Sequence, residues 1–251
     1  MLTVQRRLAG LSLDEAAAIA GVRPEVFKEV ERGEHLLTSH QARSLARKYR
    51  CSLAYLYLEP VESAVEAEAE LFRRFRDVPE DPFDRTPPLR NAMREAREVR
   101  DLALELMELL EDDPQFPHSV EALRQPAATG SFGAEVRRLL GVELEDQLKW
   151  SSDGEALRAW RAAVEEMGIL VMQAGFVERG DKGVGPVRGF VLPDDTIPVV
   201  VLNRNEFELP QVYTLLHETV HAVLSALGDD RAGSERFCDS VAASVLMPRT
   251  E

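Results

Sequence analysis

The chain has only two cysteines, Cys51 and Cys238, and they stand far apart in sequence. They form no C-x-x-C pair and no disulfide framework, so two buried free thiols in a reducing cytosol are expected. No N-terminal stretch has the order of a signal peptide, and no apolar run reaches transmembrane length. These absences predict a cytoplasmic protein without membrane contact. Histidine is scarce, with five in 251 residues. The glycine-rich stretch over residues 180–187 has neither the spacing nor the following helix of a phosphate loop, so no phosphate role is assigned to it.

What is present supports real cores: the hydrophobic fraction is 45%, and the length suits two domains or one large one. The net charge of −14 is unevenly spread. Residues 1–60 carry nine Lys/Arg against seven Asp/Glu, so the remainder carries −16. An acidic body repels nucleic acid, and any DNA contact must be local to the first module.

Two of the five histidines fall in one string, His217-Glu218-Thr219-Val220-His221, inside the apolar run Leu215–Leu224. On a helix the two imidazoles lie on one face, one turn apart. Two neutral imidazoles so placed can share one metal ion. Glu218 points in a neighbouring direction and is left to take a proton from water at the metal.

Residues 1–60 read as short helices divided by polar turns. A first helix covers about 3–9. Ser12 caps a second, with Glu15 completing a capping box and Gly21 ending it. Pro24 opens a third that runs to Arg32. Ser39 caps a fourth over 40–49, and a fifth turn spans 53–58. The strings Leu11-Ser12-x-Asp14-Glu15-Ala16-Ala17-x-x-Ala20-Gly21-Val22, Val30-Glu31-Arg32-Gly33-Glu34 and Leu45-Ala46-x-x-Tyr49 resemble the Xre, or phage-repressor, type of helix-turn-helix. That resemblance implies that Arg23 through Lys28 face a DNA major groove. It offers Arg23, Lys28 and Arg32, with Arg6 and Arg7, as contacts to the phosphate backbone. Glu25 and Glu29 would repel phosphates, and Leu13 stands where many relatives have a polar DNA contact. A protein-docking or dimerisation module is therefore the competing expectation.

Residues 61–130 form a helical connecting region. A charged helix is expected over 62–76 and a proline-rich linker over 77–88. A long amphipathic helix follows over about 88–111. Its apolar positions Met93, Ala96, Val99, Ala103, Leu106, Met107 and Leu110 predict a core-facing stripe, widened by Leu102, Leu104 and Leu109. A homodimer contact is the alternative. Residues 112–130 read as loop, with an exposed His118. Helices are expected over 132–140 and 153–167, with Trp150 and Trp160 as packing anchors.

Strands are expected over 169–172, 188–192 and 197–203, with a hairpin turn at Asp194-Asp195. Pro198 cannot donate to a ladder, which predicts an edge or a strand start. An edge there would let the segment 199–202 bind an extended peptide by strand addition. Helices over 209–227 and 234–247 follow. The blocks Gly189-Phe190-Val191, Pro198-Val199-Val200-Val201-Leu202-Asn203, Tyr213-Thr214-Leu215-Leu216-His217-Glu218-x-x-His221 and Glu235-x-Phe237-Cys238-Asp239-x-x-Ala242-Ala243-x-x-Leu246-Met247-Pro248 resemble the ImmA/IrrE family of metallopeptidases.

That resemblance implies a zincin-like peptidase domain over 131–251 and a third metal ligand, Glu235. Asp239, one turn later, is the alternative ligand or a residue orienting a histidine. One divalent ion per chain is implied, zinc or manganese, with Glu218 as the base and Tyr213 as an oxyanion donor. The substrate implied is a helix-turn-helix repressor, whose cleavage derepresses stress-response or mobile-element genes. The alternative is a DNA-binding regulator whose peptidase-like domain senses a ligand or metal and does not cut. Many relatives have Leu-Gly where Thr219-Val220 stands, which is expected to add a side chain beside the site. Relatives also continue further past Pro248, so a substrate-binding wall is expected to be missing. The fold class expected is mainly α with a small β-sheet, an α+β chain with a five-helix helix-turn-helix domain over 1–60.

Overall fold

Local capping sets the first helices. The computed structural model describes residues 2–9, 11–49, 51–57, 75, 78, 86–124, 131–176 and 187–248. The expected helix over 62–76, the linker over 77–88 and the glycine-rich turn over 180–187 lie almost wholly outside them. Contacts divide the chain into two compact units, Met1–Arg73 with Pro79–Pro87, and Arg74–Val78 with Pro88–Glu251.

The first unit holds α1 (Leu2–Leu8), α2 (Leu13–Ala20), α3 (Pro24–Glu31), α4 (Ser39–Tyr49) and a 3-10 turn (Ala54–Tyr57). At α2 the capping box forms as expected: the Glu15 N–H donates to the Ser12 hydroxyl at 3.2 Å, and the Ser12 N–H donates to the Glu15 carboxylate at 2.8 Å. The cap of α4 is Thr38, not Ser39. Its hydroxyl accepts from the Gln41 N–H and its own N–H donates to Gln41 Oε1 at 2.9 Å. Ala16, Ala17, Ala20, Phe27, Leu45, Ala46, Tyr49 and Leu56 make the core. Arg6, expected on DNA phosphate, instead pairs inward. Its Nε lies 2.7 Å from Glu31 Oε1, its Nη2 lies 3.1 Å from Glu31 Oε2, and its Nη1 donates to the Leu11 carbonyl. A guanidinium fork matched to a carboxylate ties α1 to α3.

The second unit begins with α5 (Pro87–Leu110), α6 (Gln115–Arg124), α7 (Phe132–Leu139), α8 (Leu144–Gln147) and α9 (Asp153–Glu166). Strands β1 (Leu170–Ala174), β2 (Gly189–Leu192) and β3 (Val199–Asn203) follow, then α10 (Glu208–Leu227), a 3-10 turn (Asp230–Gly233) and α11 (Glu235–Leu246). The chain is mainly helical with one three-stranded sheet among the described residues, an α+β architecture. Among those residues no helix is long and apolar enough to cross a membrane.

The sheet corrects one expectation. Its order is β1-β3-β2, with β3 parallel to β1 (Leu170 opposite Val199) and antiparallel to β2 (Gly189 opposite Leu202). Strand β3 is therefore central and wholly buried, and it offers no edge for a peptide. Pro198 sits just before the strand, where its missing N–H falls outside the ladder, and its carbonyl accepts from the Leu170 N–H at 2.9 Å. The hairpin between β2 and β3 turns at Asp194, whose Oδ1 accepts from the Thr196 and Ile197 N–H groups.

Residues 115–124, expected as loop, are helix α6. Pro117 falls in the first helical turn, where the N–H has no intrahelical partner. Phe116, Val120 and Leu123 recur at helical spacing and are buried in the main core. The start of α6 lies against Gly168, where a Cβ would stand 2.4 Å from the Phe116 nitrogen. His118 is exposed as expected, on a helix rather than a loop.

Helix α5 buries only its first half, through Leu89, Ala92, Met93 and Ala96. Leu102, Leu106, Leu109 and Leu110, expected to face the core, are exposed. The main core gathers Trp160 from α9, Val200 and Leu202 from β3, Leu215, Leu216, Val220 and Val223 from α10, and Val241 and Val245 from α11. Trp160 packs edge-on against Trp150, with centroids 5.8 Å apart, so both act as packing anchors.

Candidate metal centre

Helix α10 is buried nearly all round from Gln211 to Leu224. Polar groups within such a helix cost free energy unless they are matched to partners. Thr219 is matched through its hydroxyl, which donates to the Leu215 carbonyl at 2.7 Å. Val220 is fully buried in the apolar core. The Thr-Val pair, expected to crowd the site, is thus absorbed into hydrophobic packing. His217, Glu218 and His221 remain as the buried polar groups of the helix centre.

The two imidazoles approach as the four-residue spacing requires, with Nε2 atoms 3.0 Å apart. Glu235 opens α11, whose first turn is capped by Ser234. Its Oε2 lies 3.2 Å from His217 Nε2 and its Oε1 lies 3.5 Å from His221 Nε2. The three residues offer ligand atoms that all lie within 4.8 Å of one another. Donors set tetrahedrally at zinc–nitrogen and zinc–oxygen distances stand about 3.3 Å apart, so these separations fit a shared cation.

The tautomer of His221 is also set. Its Nδ1 lies 2.9 Å from the Ala232 carbonyl oxygen, which can only accept, so Nδ1 carries the hydrogen and Nε2 keeps its lone pair. Ala232 belongs to the 3-10 turn, which is itself held by Arg231. That guanidinium pairs with Asp229 at 2.6 Å and stacks on Phe237, 4.5 Å from the ring centroid. Cys238 Sγ lies 3.6 Å from the same Nδ1, and the thiol is buried.

Asp239 sits behind His217. Its Oδ1 is 3.1 Å from Nδ1, the nitrogen opposite the donor cluster. The carboxylate stands at ion-pair distance on the side from which it can steady the ring, without hydrogen-bond alignment, and Asp239 takes no part in the three-residue group. Tyr213, expected as an oxyanion donor, instead gives its hydroxyl hydrogen to Asp239 Oδ1 at 2.6 Å. Burial and then this hydrogen bond push the phenol up to about 12. Tyr213, Asp239 and His217 thus form one chain of contacts leading to the donor cluster.

Glu218 is 2% exposed and lies beside β2. A Cβ on Gly189 would stand 2.4 Å from Thr214 Cγ2, 3.0 Å from the Val201 carbonyl and 3.7 Å from Glu218 Cγ. The strand can pass this close to the helix only because residue 189 has no side chain. The far end of α11 is fixed as well. Arg137 donates to the Val245 carbonyl and to Gln147 Oε1, and Gln147 donates to the Leu246 carbonyl at 3.1 Å.

The structure therefore brings His217, Glu218, His221, Glu235, Asp239 and Tyr213 into one region. Arg23, Lys28 and Arg32 lie in the first unit, all exposed, with Arg32 paired to Glu34 at 2.8 Å. Sequence reasoning missed the Ala232 carbonyl and the Tyr213–Asp239 bond. A backbone oxygen carries no sequence signal, and the bond spans 26 residues. No protein-family model, no curated protein and no solved structure matches the chain.

Proposed function

We propose that the second unit is a zincin-type metalloendopeptidase domain and that the chain cleaves a helix-turn-helix repressor, releasing the genes the repressor silences. The observation that carries this reading is the cluster of His217, His221 and Glu235 with the buried Glu218 carboxylate on the same helix. Two imidazoles and a carboxylate suit zinc, and manganese is the second choice. A divalent cation held there supplies Lewis-acid polarisation of a peptide carbonyl and acidifies a water.

The chain's own residues do the rest. Glu218 takes the proton of the attacking water and delivers it to the departing amine nitrogen. Ala232 holds the His221 tautomer, and Asp239 with Tyr213 holds the His217 ring. Strand β2 ends the sheet on the side of Glu218 among the described residues, and its four residues are buried as those of β3 are.

The helix order of the first unit supports a helix-turn-helix domain that recruits a similar domain in the substrate. Exposed Arg23 and Lys28 favour the second reading, a DNA-binding regulator whose C-terminal domain senses metal without cutting. Glu218 weighs against it, because a sensor has no need of the base.

Metal content of protein purified without added metal separates these. About one zinc or manganese per chain is expected in the wild type and in Glu218→Gln, with loss in Glu235→Ala. Cleavage of a helix-turn-helix repressor, followed by mass spectrometry, is expected for the wild type and not for Glu218→Gln. Full control of gene expression in cells by Glu218→Gln would overturn the enzyme in favour of the regulator.

A further inference from the structure

The second half of α5 has an apolar face that the described residues leave exposed. Beyond Arg100, Leu102 is 55% exposed, Leu106 47%, Leu109 78% and Leu110 71%. Val99, Leu102, Leu106 and Leu109 follow one another at spacings of three, four and three. That is the seam spacing of a helix built to pack along another helix. The same helix satisfies its own unit through the other half, where Leu89, Ala92, Met93 and Ala96 are buried.

Charge decides what fits this seam. Residues 101–123 contain seven acids and no lysine or arginine. Glu98 and Glu105 flank the seam along one side, and both are exposed. Ala103 and Leu110 flank the other side. Two copies of the helix set antiparallel would bring the acidic flanks together. Set parallel, each acidic flank would face Ala103 and Leu110 and gain no ion pair. The arginines of the first half do not offset this, since Arg97 and Arg100 are engaged with Asp101, and Arg100 also with Asp194.

We propose that the face formed by Leu102, Leu106 and Leu109 docks an amphipathic helix of a partner protein that carries lysine or arginine beside its own apolar stripe. Leucines supply the buried contact, and the acidic flank selects a basic partner and orients it. This inference is independent of the metal chemistry.

The test uses the full-length chain and two labelled helical peptides with the same leucine seam, one flanked by lysine and one by glutamate. Fluorescence anisotropy is expected to show the lysine peptide binding at least about tenfold more tightly, with affinity falling as salt rises. The double variant Leu106→Glu/Leu109→Glu changes only exposed positions, and its circular dichroism is expected to match the wild type. It adds acidic charge, so non-specific attraction of a basic peptide would strengthen. A seated helix would instead be lost, and loss of about tenfold or more is expected. Equal binding of both peptides, binding of neither, or undiminished binding by the double variant would overturn the proposal. A concentration-dependent dimer in sedimentation, abolished by the double variant, would assign the face to a second copy and overturn it as well.

Discussion

Removing the Asp239 carboxylate should weaken metal binding without removing a ligand. Asp239 touches His217 on the ring nitrogen opposite the donor cluster, at 3.1 Å. Carboxylates in that position contribute about tenfold to a hundredfold in metal affinity, by fixing the ring and raising its basicity. Asp239 has 53% of its side chain open to solvent, so water screens the contact, and the lower end applies. The expected loss for Asp239→Ala is about tenfold, or roughly 1.4 kcal/mol. Tyr213→Phe removes only the hydrogen bond that steadies the carboxylate, and about threefold is expected. Because Tyr213 acts through Asp239, the two effects should not add: in an Asp239→Ala background, Tyr213→Phe should change almost nothing. Zinc titration against a competing fluorescent chelator at neutral pH reads all four proteins, with circular dichroism to confirm the fold. Zinc affinity unchanged in Asp239→Ala would refute the orienting role. Full additivity of the two substitutions would refute the chain of contacts.

Gly189→Ala places a Cβ 2.4 Å from Thr214 Cγ2, and overpacking of that kind costs about 1–3 kcal/mol. A lower melting temperature is expected, with partial recovery in the Gly189→Ala/Thr214→Ser double variant. Arg6→Ala leaves Glu31, whose side chain is 9% exposed, without its fork partner, and a loss of about 3 kcal/mol is expected in denaturant titration. Glu15 is held below the ordinary carboxylate range by the Ser12 N–H and hydroxyl. Its folded pKa is lower than its unfolded one, so its contribution is present above the unfolded value and is lost as pH falls through the folded value. Ser12→Ala keeps the backbone N–H, the larger cause, and removes only the hydroxyl's share, so it should flatten the acid limb of the stability profile in part, as read by melting midpoints across that range.

Local chemistry in the sequence proved readable where partners are near neighbours. The Ser12–Glu15 box forms as its spacing says, and the four-residue spacing of His217 and His221 brings their Nε2 atoms together. Position across the fold was harder to read. Pro198 suggested an edge or a strand start, and only the second holds: strand order depends on which segments pair across the sheet, and a proline just before a central strand costs no ladder bond. Pro114, Pro117, Pro126 and Gly130 suggested a loop at 112–130, but a proline in a first helical turn leaves the apolar spacing of Phe116, Val120 and Leu123 free to act. The leucines of α5 show the opposite error. Periodicity gives the face of a helix but not what covers it, and the exposed half has the same spacing as a buried one.

The donor cluster has a consequence for the order of folding. His217 and Glu235 are 18 residues apart, and closing so short a loop costs little chain entropy. The contact from Arg137 to the Val245 carbonyl spans 108 residues and forms against a much larger loop. The helix hairpin of α10 and α11 can therefore gather its three donors before the sheet and the outer helices arrive. A cation captured at that stage would hold together the segment on which the rest of the unit condenses, so metal supply would set how fast the chain folds as well as how stable it is afterwards.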